Sequence, residues 1–188
     1  VPLYENTAAI NMEKLEALTG RSYKLFEYYG HPEADRIIII MGSGVGPVHE
    51  VTDYLNARGE KAGYLNIHLY RPFSVSHFIE AIPATVQKIA VLDRCKEPGA
   101  IGEPLYMDTV NALHTGWKMS MPVVIGGRYG LASKEFNAGM VKAVFDELRK
   151  ENPKNGFTIG IEDDVTNTSL HWDKKFSLEK QHLFRGLF

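Results

Sequence analysis

The sequence predicts an α/β fold in which helices cover both faces of a mostly parallel sheet. Residues 36–41 contain four consecutive isoleucines followed by methionine, and they run directly into the turn Gly42-Ser43-Gly44. A short, uniformly apolar run is typical of a strand that is buried on both faces of a parallel sheet. A helical pattern begins at Pro47, and the alternation of strand and helix then repeats along the chain. We refer to residues 36–41 as the central strand.

The strand before the central strand is predicted to have the opposite direction. Residues 22–29 are aromatic and β-prone, and only the turn at residues 31–35 separates them from the central strand. Because this turn is too short for a parallel crossover, the first strand should run antiparallel to the central strand or lie apart from it.

The remaining elements follow from apolar periodicity and from turn residues. We predict helices at 12–18, 47–58, 75–82, 104–114 and 134–149, strands at 64–70, 88–93 and 122–125, and a short strand or extended segment at 157–161. Either Ser74 or Ser76 is expected to cap the helix at 75–82.

Composition limits the classes of function. The chain has 188 residues and is 44% hydrophobic, so it is large and apolar enough to form one core. Its net charge is −2, so it has no positive electrostatic field that would favour nucleic acid or an anionic membrane. No apolar run approaches the roughly 20 residues of a membrane span. The single cysteine excludes an internal disulfide and a self-contained iron–sulfur cluster. We expect a soluble, cytoplasmic protein whose two ends are cut from a longer chain.

The glycine turn after the central strand suggests a nucleotide site. Gly42, Ser43 and Gly44 open the motif, but Pro47 occupies the position of the third glycine in the dinucleotide fingerprint. The next strand ends at Arg71 without an acidic residue for a ribose, although Arg71 is a candidate for a 2′-phosphate. A packing turn and an anion-binding turn at the start of a helix both remain open.

A second loop with candidate functional residues follows the strand at 88–93. It contains Asp93, Arg94, Cys95, Lys96 and Glu97, at the end of a parallel strand where open α/β sheets bind ligands. The two neighbouring cations predict a lowered thiol pKa for Cys95 if the thiol is exposed. The alternative is an ion-paired loop that docks on a neighbouring domain.

Metal-binding patterns are weak in this sequence. His49-Glu50 resembles the start of a zinc-protease helix, but Asp53 stands where the second histidine is needed. We therefore expect no metal site and no catalytic residue, and surface or capping roles for the seven histidines. The run at 162–164 is acidic and is predicted to be a solvated turn rather than a cation site.

Residues 163–188 have no period of either kind. They nevertheless contain many apolar side chains, namely Leu170, Trp172, Phe176, Leu178, Leu183, Phe184, Leu187 and Phe188. A solvated linker rarely carries so many apolar residues. We therefore predict an arm that is mobile or covered by surfaces from elsewhere.

Several stretches together resemble the pyruvate:ferredoxin (flavodoxin) oxidoreductases. The resemblance is carried by residues 17–28, 69–73, 91–94, 96–99, 127–131, 133–136 and 160–166, in the order found in that family. It spans about Leu18 to Phe188. Residues 17–28 are similar to the junction after the family's first domain, and the stretch from about Gln181 is similar to the start of the next domain.

The resemblance implies a domain similar to the carboxyl-terminal domain of transketolases. That fold is a three-layer α/β/α sandwich with a mostly parallel five-stranded sheet whose first strand is antiparallel. It implies a linker and helix at 1–22, the α/β domain at 23–162, and a linker arm with the start of the next domain at 163–188. The thiamine-binding motif and the cluster cysteines of the family have no counterpart here.

The resemblance also implies a parent enzyme that oxidatively decarboxylates pyruvate and forms acetyl-CoA. Such an enzyme uses thiamine diphosphate, Mg²⁺ and 4Fe-4S clusters, passes electrons to ferredoxin or flavodoxin, and is expected to be a homodimer. This chain is then a structural and docking domain that holds no cofactor and contacts other domains of the same polypeptide.

The alternative is an autonomous α/β domain that binds a nucleotide or coenzyme A at its strand-end loops. The candidate anion or docking residues are Gly42, Ser43, Gly44, Asp93, Arg94, Lys96, Glu97 and Arg128.

Overall fold

Six strands form one sheet that is covered by helices on both faces. The computed structural model describes residues 2–162 and 165–178. The helices are α1 (Pro2–Thr19), α2 (Val45–Asn56), α3 (Val75–Glu80), α4 (Pro104–Gly116) and α5 (Ala138–Arg149). The strands are β1 (Phe26–Gly30), β2 (Arg36–Ile40), β3 (Ala62–Ile67), β4 (Lys88–Asp93), β5 (Val123–Arg128) and β6 (Phe157–Thr158).

The sheet order is β1-β3-β2-β4-β5-β6, and every pairing except that of β1 is parallel. The prediction of an antiparallel first strand is confirmed, and its partner is β3 rather than the central strand. The sheet has six strands instead of the five implied by the resemblance. The difference is β6, in which Phe157 and Thr158 pair with Gly127 and Arg128 of β5.

The central strand β2 lies in the middle of the sheet, between β3 and β4. Its four isoleucines are fully buried. Ile38 and Ile40 pack in the core beneath α2 and α5, and Ile37 and Ile39 pack in the core beneath α3 and α4. This alternation is the two-residue period of a strand, and it confirms the predicted three-layer arrangement.

Two helix starts differ from their predictions. Ser74 precedes α3, but its side chain caps no backbone N–H group and its Oγ lies 2.7 Å from Nδ1 of His77. Helix α5 begins at Ala138, where the Asn137 side chain accepts a hydrogen bond from the Met140 N–H at 3.2 Å. Residues 134–137, which were predicted as its first turn, have no regular secondary structure, and a separate 3-10 turn precedes them at Leu131–Ser133.

Helix α1 packs on the core of the α3 and α4 layer through Ala8 and Met12. Most of its other side chains are exposed. In the part of the chain that the structure describes, no helix is both long enough and apolar enough to cross a membrane.

The stretch at 165–178 packs on the domain itself, which corrects the predicted arm. Thr158 of β6 donates to the Thr168 carbonyl at 3.0 Å and accepts from the Leu170 N–H at 2.8 Å. Leu170 is 8% exposed, and Trp172 and Phe176 pack against the same core. Pairing with β6 orders this stretch without any sequence period. The apolar residues beyond Leu178, and Asp163 and Asp164, lie outside the described residues.

Candidate functional site

The order in which strands are added to the sheet reverses between β2 and β4, so successive strands lie on opposite sides of β2. From β2 the chain continues through α2 to β3 on one side, and from β3 it returns through α3 to β4 on the other side of β2. The loops that leave β2 and β4 therefore diverge and open a crevice, which is where open α/β sheets bind ligands.

The crevice brings together the two loops that the sequence singled out. Arg94, after β4, donates a hydrogen bond from Nη1 to Oγ of Ser43, after β2, at 3.0 Å. These two residues are 51 positions apart in sequence. A cavity of about 240 Å³ adjoins this contact and is lined by Ser43, Gly44, Arg94, Tyr129, Ser133, Lys134, Glu135 and Phe136.

Gly44 is required by close packing at this turn. A Cβ atom on Gly44 would lie 2.7 Å from Cδ1 of Ile40 and 2.8 Å from Cε2 of Tyr129. The Tyr129 hydroxyl donates to the Met41 carbonyl at 3.2 Å, which holds the ring against the turn. Gly46, in contrast, faces open space. The glycine spacing therefore reflects packing against Tyr129 rather than a dinucleotide fingerprint.

Asp93 anchors helix α4 and does not line the cavity. It is 2% exposed, and its two carboxylate oxygens accept hydrogen bonds from the N–H groups of Leu105 and Tyr106 at 3.0 and 3.1 Å. Burial raises the pKa of the Asp93 carboxyl, whereas the two backbone hydrogen bonds act in the opposite direction. A carboxylate at the start of a helix also interacts favourably with the helix dipole.

Arg128 also makes contacts within the fold. Its Nε donates to Oε1 of Glu103 at 2.5 Å and its Nη1 donates to the Gly156 carbonyl at 3.1 Å. Glu103 is only 5% exposed, so this pair joins the end of β5 to the start of α4 in a largely dry environment. The pair fixes the position of the β5 loop, and Arg128 does not line the cavity around Arg94.

Lys96 and Glu97 lie in an exposed part of the loop after β4, where the Glu97 carbonyl accepts a hydrogen bond from the Ala100 N–H at 3.2 Å. The lowered thiol pKa was predicted for an exposed Cys95, and that condition is not met because the residue is half-buried. Burial raises the pKa of its thiol, and the negative charges of Asp93 and Glu97 add to that effect. The neighbours along the chain suggested a positive environment, but in the fold Asp93, Glu97 and Glu103 raise the thiol pKa and Arg128 acts in the opposite direction.

Arg71 is engaged within the protein. Its Nη2 donates to Oδ2 of Asp108 at 2.6 Å, and its guanidinium carbon lies 3.8 Å from the centre of the Tyr70 ring. The Tyr70 hydroxyl donates to the same carboxylate oxygen at 2.7 Å. A 2′-phosphate would therefore have to displace the Asp108 carboxylate from Arg71.

The histidine and acidic motifs make local contacts. Nδ1 of His49 lies 3.1 Å from the Tyr64 hydroxyl, and Nε2 of His49 lies 3.6 Å from Oδ2 of Asp53. Glu162 forms an ion pair with Lys174, which lowers the pKa of its carboxyl. Within residues 2–162 and 165–178, no three His, Cys, Asp or Glu side chains are grouped so that they could hold a metal ion.

Comparison with known proteins identifies the family. Residues 34–135 match the model of the family described as pyruvate:ferredoxin oxidoreductase core domain II. The matched range includes the central strand, the glycine turn, Arg94 and Arg128. The chain belongs to this family.

Individual relatives are similar over nearly the whole chain. The chain is 58% identical to a pyruvate-flavodoxin oxidoreductase of Trichormus variabilis over 94% of its length, which is 15% of that protein. It is 55% identical to one of Rhodospirillum rubrum over all of its length, which is 16% of that protein. It is 51% identical to the pyruvate:ferredoxin oxidoreductase of Moorella thermoacetica, of which it again covers 15%. The chain thus spans less than a fifth of these relatives.

One solved structure is also similar to the chain. It is a 2-oxoglutarate:ferredoxin oxidoreductase from Magnetococcus marinus with 2-oxoglutarate, coenzyme A and succinyl-CoA bound. The identity is 26%, the match covers 71% of this chain and 21% of that one, and the TM-score is 0.45.

The resemblance found in the sequence to pyruvate:ferredoxin (flavodoxin) oxidoreductases is therefore confirmed. The domain boundaries at 23 and 162 stay a prediction, although Leu170 and Phe176, beyond the second boundary, pack on the core of the domain. Sequence reasoning missed Tyr129, Ser133 and Lys134 as neighbours of Arg94. The available signal was their position directly after β5, since loops that follow adjacent parallel strands meet at one edge of the sheet.

Proposed function

We propose that this core domain II chain is a structural and docking domain of an oxidoreductase that oxidatively decarboxylates pyruvate to acetyl-CoA and passes the electrons to ferredoxin or flavodoxin. The names of the relatives support the reaction, and the chain's share of about 15% of their length supports the role of one domain among several.

Helix α1 carries the proposal that the chain docks on other domains. Tyr4, Leu15 and Leu18 are exposed, and Leu18 is 84% exposed. Their spacing places them on one side of the helix, next to the side that packs through Ala8 and Met12. A helix that buries only part of its apolar surface is suited to contact a second apolar surface. We assign that surface to other domains of the same polypeptide.

The cofactors of the proposed reaction fit poorly to this chain. A 4Fe-4S cluster needs about four cysteine ligands, and the sequence has one cysteine. The described residues also lack a grouping of side chains suited to a metal ion such as Mg²⁺. We therefore assign thiamine diphosphate, Mg²⁺ and the clusters to the rest of the polypeptide. Coenzyme A as co-substrate, a homodimeric parent enzyme and a cytoplasmic location belong to the same proposal.

An autonomous domain that binds a whole nucleotide or coenzyme A is the weaker candidate. The cavity beside Ser43 has a volume of about 240 Å³, below the range of roughly 300–1,000 Å³ that is usual for small-molecule pockets. The position of the third fingerprint glycine is occupied by Pro47. Both observations favour the docking role.

The test uses the complete oxidoreductase that contains this chain. Glutamate at both Leu15 and Leu18 places two charges in the proposed contact, and burial of each leucine is worth about 1.5–3 kcal/mol. We expect the double variant to unfold at a lower temperature and to lose pyruvate- and coenzyme A-dependent viologen reduction. Asn6→Glu adds a charge on the opposite side of α1 and should leave both properties unchanged.

Two results would contradict the proposal. The first is a double variant with unchanged unfolding temperature and turnover, which would show that the leucines of α1 contact nothing in the complete enzyme. The second is viologen reduction by the 188-residue chain alone after purification from any complete enzyme.

A further inference from the structure

We propose that the cavity between the Ser43 turn and Arg94 is a binding site for a phosphate group, either inorganic phosphate or the phosphate of a small monoester. This site goes beyond the docking role, because α1 packs on the α3 and α4 layer and no α1 residue lines the cavity. The position of the cavity at the crevice of the sheet, its charge, its free hydrogen-bond donors and its size all suit a phosphate.

Arg94 is held in position but still has free donors. A guanidinium has five N–H donors, and within the described residues Arg94 uses one of them, toward Ser43. Gly130 has a φ of 59°, and a Cβ atom there would lie 2.9 Å from Nε of Arg94. The arginine side chain thus packs directly over the backbone of the β5 loop. A planar guanidinium in a fixed position suits the paired oxygens of a phosphate.

Other side chains around the cavity add donors. Lys134 contributes a second cation, and Ser133 contributes a hydroxyl. Because Ser43 accepts the hydrogen bond from Arg94, its own hydroxyl hydrogen is available to donate. Glu135 is the acidic residue of the lining, so the two cations leave one net positive charge around the cavity.

The main chain adds to this preference for an anion. Helix α2 has 12 residues and continues directly from a 3-10 turn at Gly42–Gly44, in which the Val45 N–H donates to the Gly42 carbonyl, and no side chain caps its first turn. Ser43 and Gly44 of this turn line the cavity, so the positive end of the helix dipole lies beside it. The volume of about 240 Å³ accommodates a phosphate with a short organic group.

Titration of the 188-residue chain with inorganic phosphate, followed by amide chemical shifts and by calorimetry, tests the site. We expect saturable shifts at Ser43, Gly44 and Arg94. Arg94→Gln should weaken binding about tenfold or more, because a hydrogen bond to a charged group is lost. Lys96→Gln removes the same charge from the same loop outside the cavity and should weaken binding less than about twofold. Arg94 is exposed, so both variants should keep the native unfolding temperature.

Glycerol 3-phosphate and acetate distinguish the ligand sources. Tighter binding of glycerol 3-phosphate supports a phosphomonoester, and equal binding supports free phosphate. The proposal is overturned if phosphate produces no saturable shift at these amides, if acetate binds as tightly as phosphate, or if Arg94→Gln and Lys96→Gln weaken binding equally. None of these results bears on the α1 contact, so the docking role is tested separately.

Discussion

Replacement of Leu170 by alanine tests whether the stretch at 165–178 is part of the folded domain. Leu170 is 8% exposed and packs in the core beneath α2 and α5. The substitution removes three carbon atoms, which corresponds to about 2 kcal/mol of transfer free energy, and any residual cavity adds to this cost. The backbone hydrogen bonds to Thr158 at 2.8 and 3.0 Å remain available, so the loss comes from the side chain. We expect the free energy of unfolding to fall by about 2–3 kcal/mol.

Denaturant unfolding of the chain measures this change, provided that the m-value is the same in both proteins. Hydrogen exchange at the Leu170 amide gives a local measurement, because that N–H is protected only while the stretch is paired with β6. Val165→Ala is the matched control, since Val165 is 90% exposed and its truncation should change the free energy by less than about 0.5 kcal/mol.

If Leu170→Ala lowers the free energy of unfolding no more than Val165→Ala does, the stretch at 165–178 is not part of the folded domain. The same conclusion follows if the Leu170 amide exchanges as fast as an unstructured peptide while the amides of β2 remain protected. Either result would return residues 165–178 to the arm predicted from the sequence, which needs a surface from elsewhere.

Two further predictions concern the sheet and α4. Ile38→Ala should lower the free energy of unfolding by about 2–5 kcal/mol in denaturant titration, because Ile38 is fully buried; a loss under about 1 kcal/mol would show that β2 is not central. Asp93→Asn tests the raised pKa of the Asp93 carboxyl. A carboxyl whose pKa is higher in the folded state stabilises the fold fully at pH values below its unfolded pKa of about 3.9. This contribution is lost as the pH rises through the folded pKa. The free energy of unfolding of the native chain, relative to Asp93→Asn, should therefore fall between acid and neutral pH; a flat or rising difference would contradict the shift.

The sequence alone determined the layers of the fold and the family. Four isoleucines in a row can be buried only if apolar layers cover both faces of the strand, so the three-layer arrangement follows from their chemistry. The strand at Lys88–Asp93 was predicted with the bounds that the structure has. The short turn before β2 excluded a parallel crossover and set the direction of β1. These features are local, because they depend on residues within one turn or one strand.

Only the tertiary structure decided what the polar residues contact. Arg94 meets Ser43 because β4 lies beside β2, and the strand order is not encoded in any local period. The same holds for Asp93, whose partners belong to the start of a helix 12 and 13 residues later. The lowered pKa predicted for an exposed Cys95 was based on Arg94 and Lys96, its neighbours along the chain. In the fold the thiol is half-buried, and burial together with nearby acidic groups raises its pKa. Apolar periodicity indicates which face of a helix or strand is buried. The electrostatic environment and the hydrogen-bond partners of a polar side chain depend instead on which elements become neighbours in the fold.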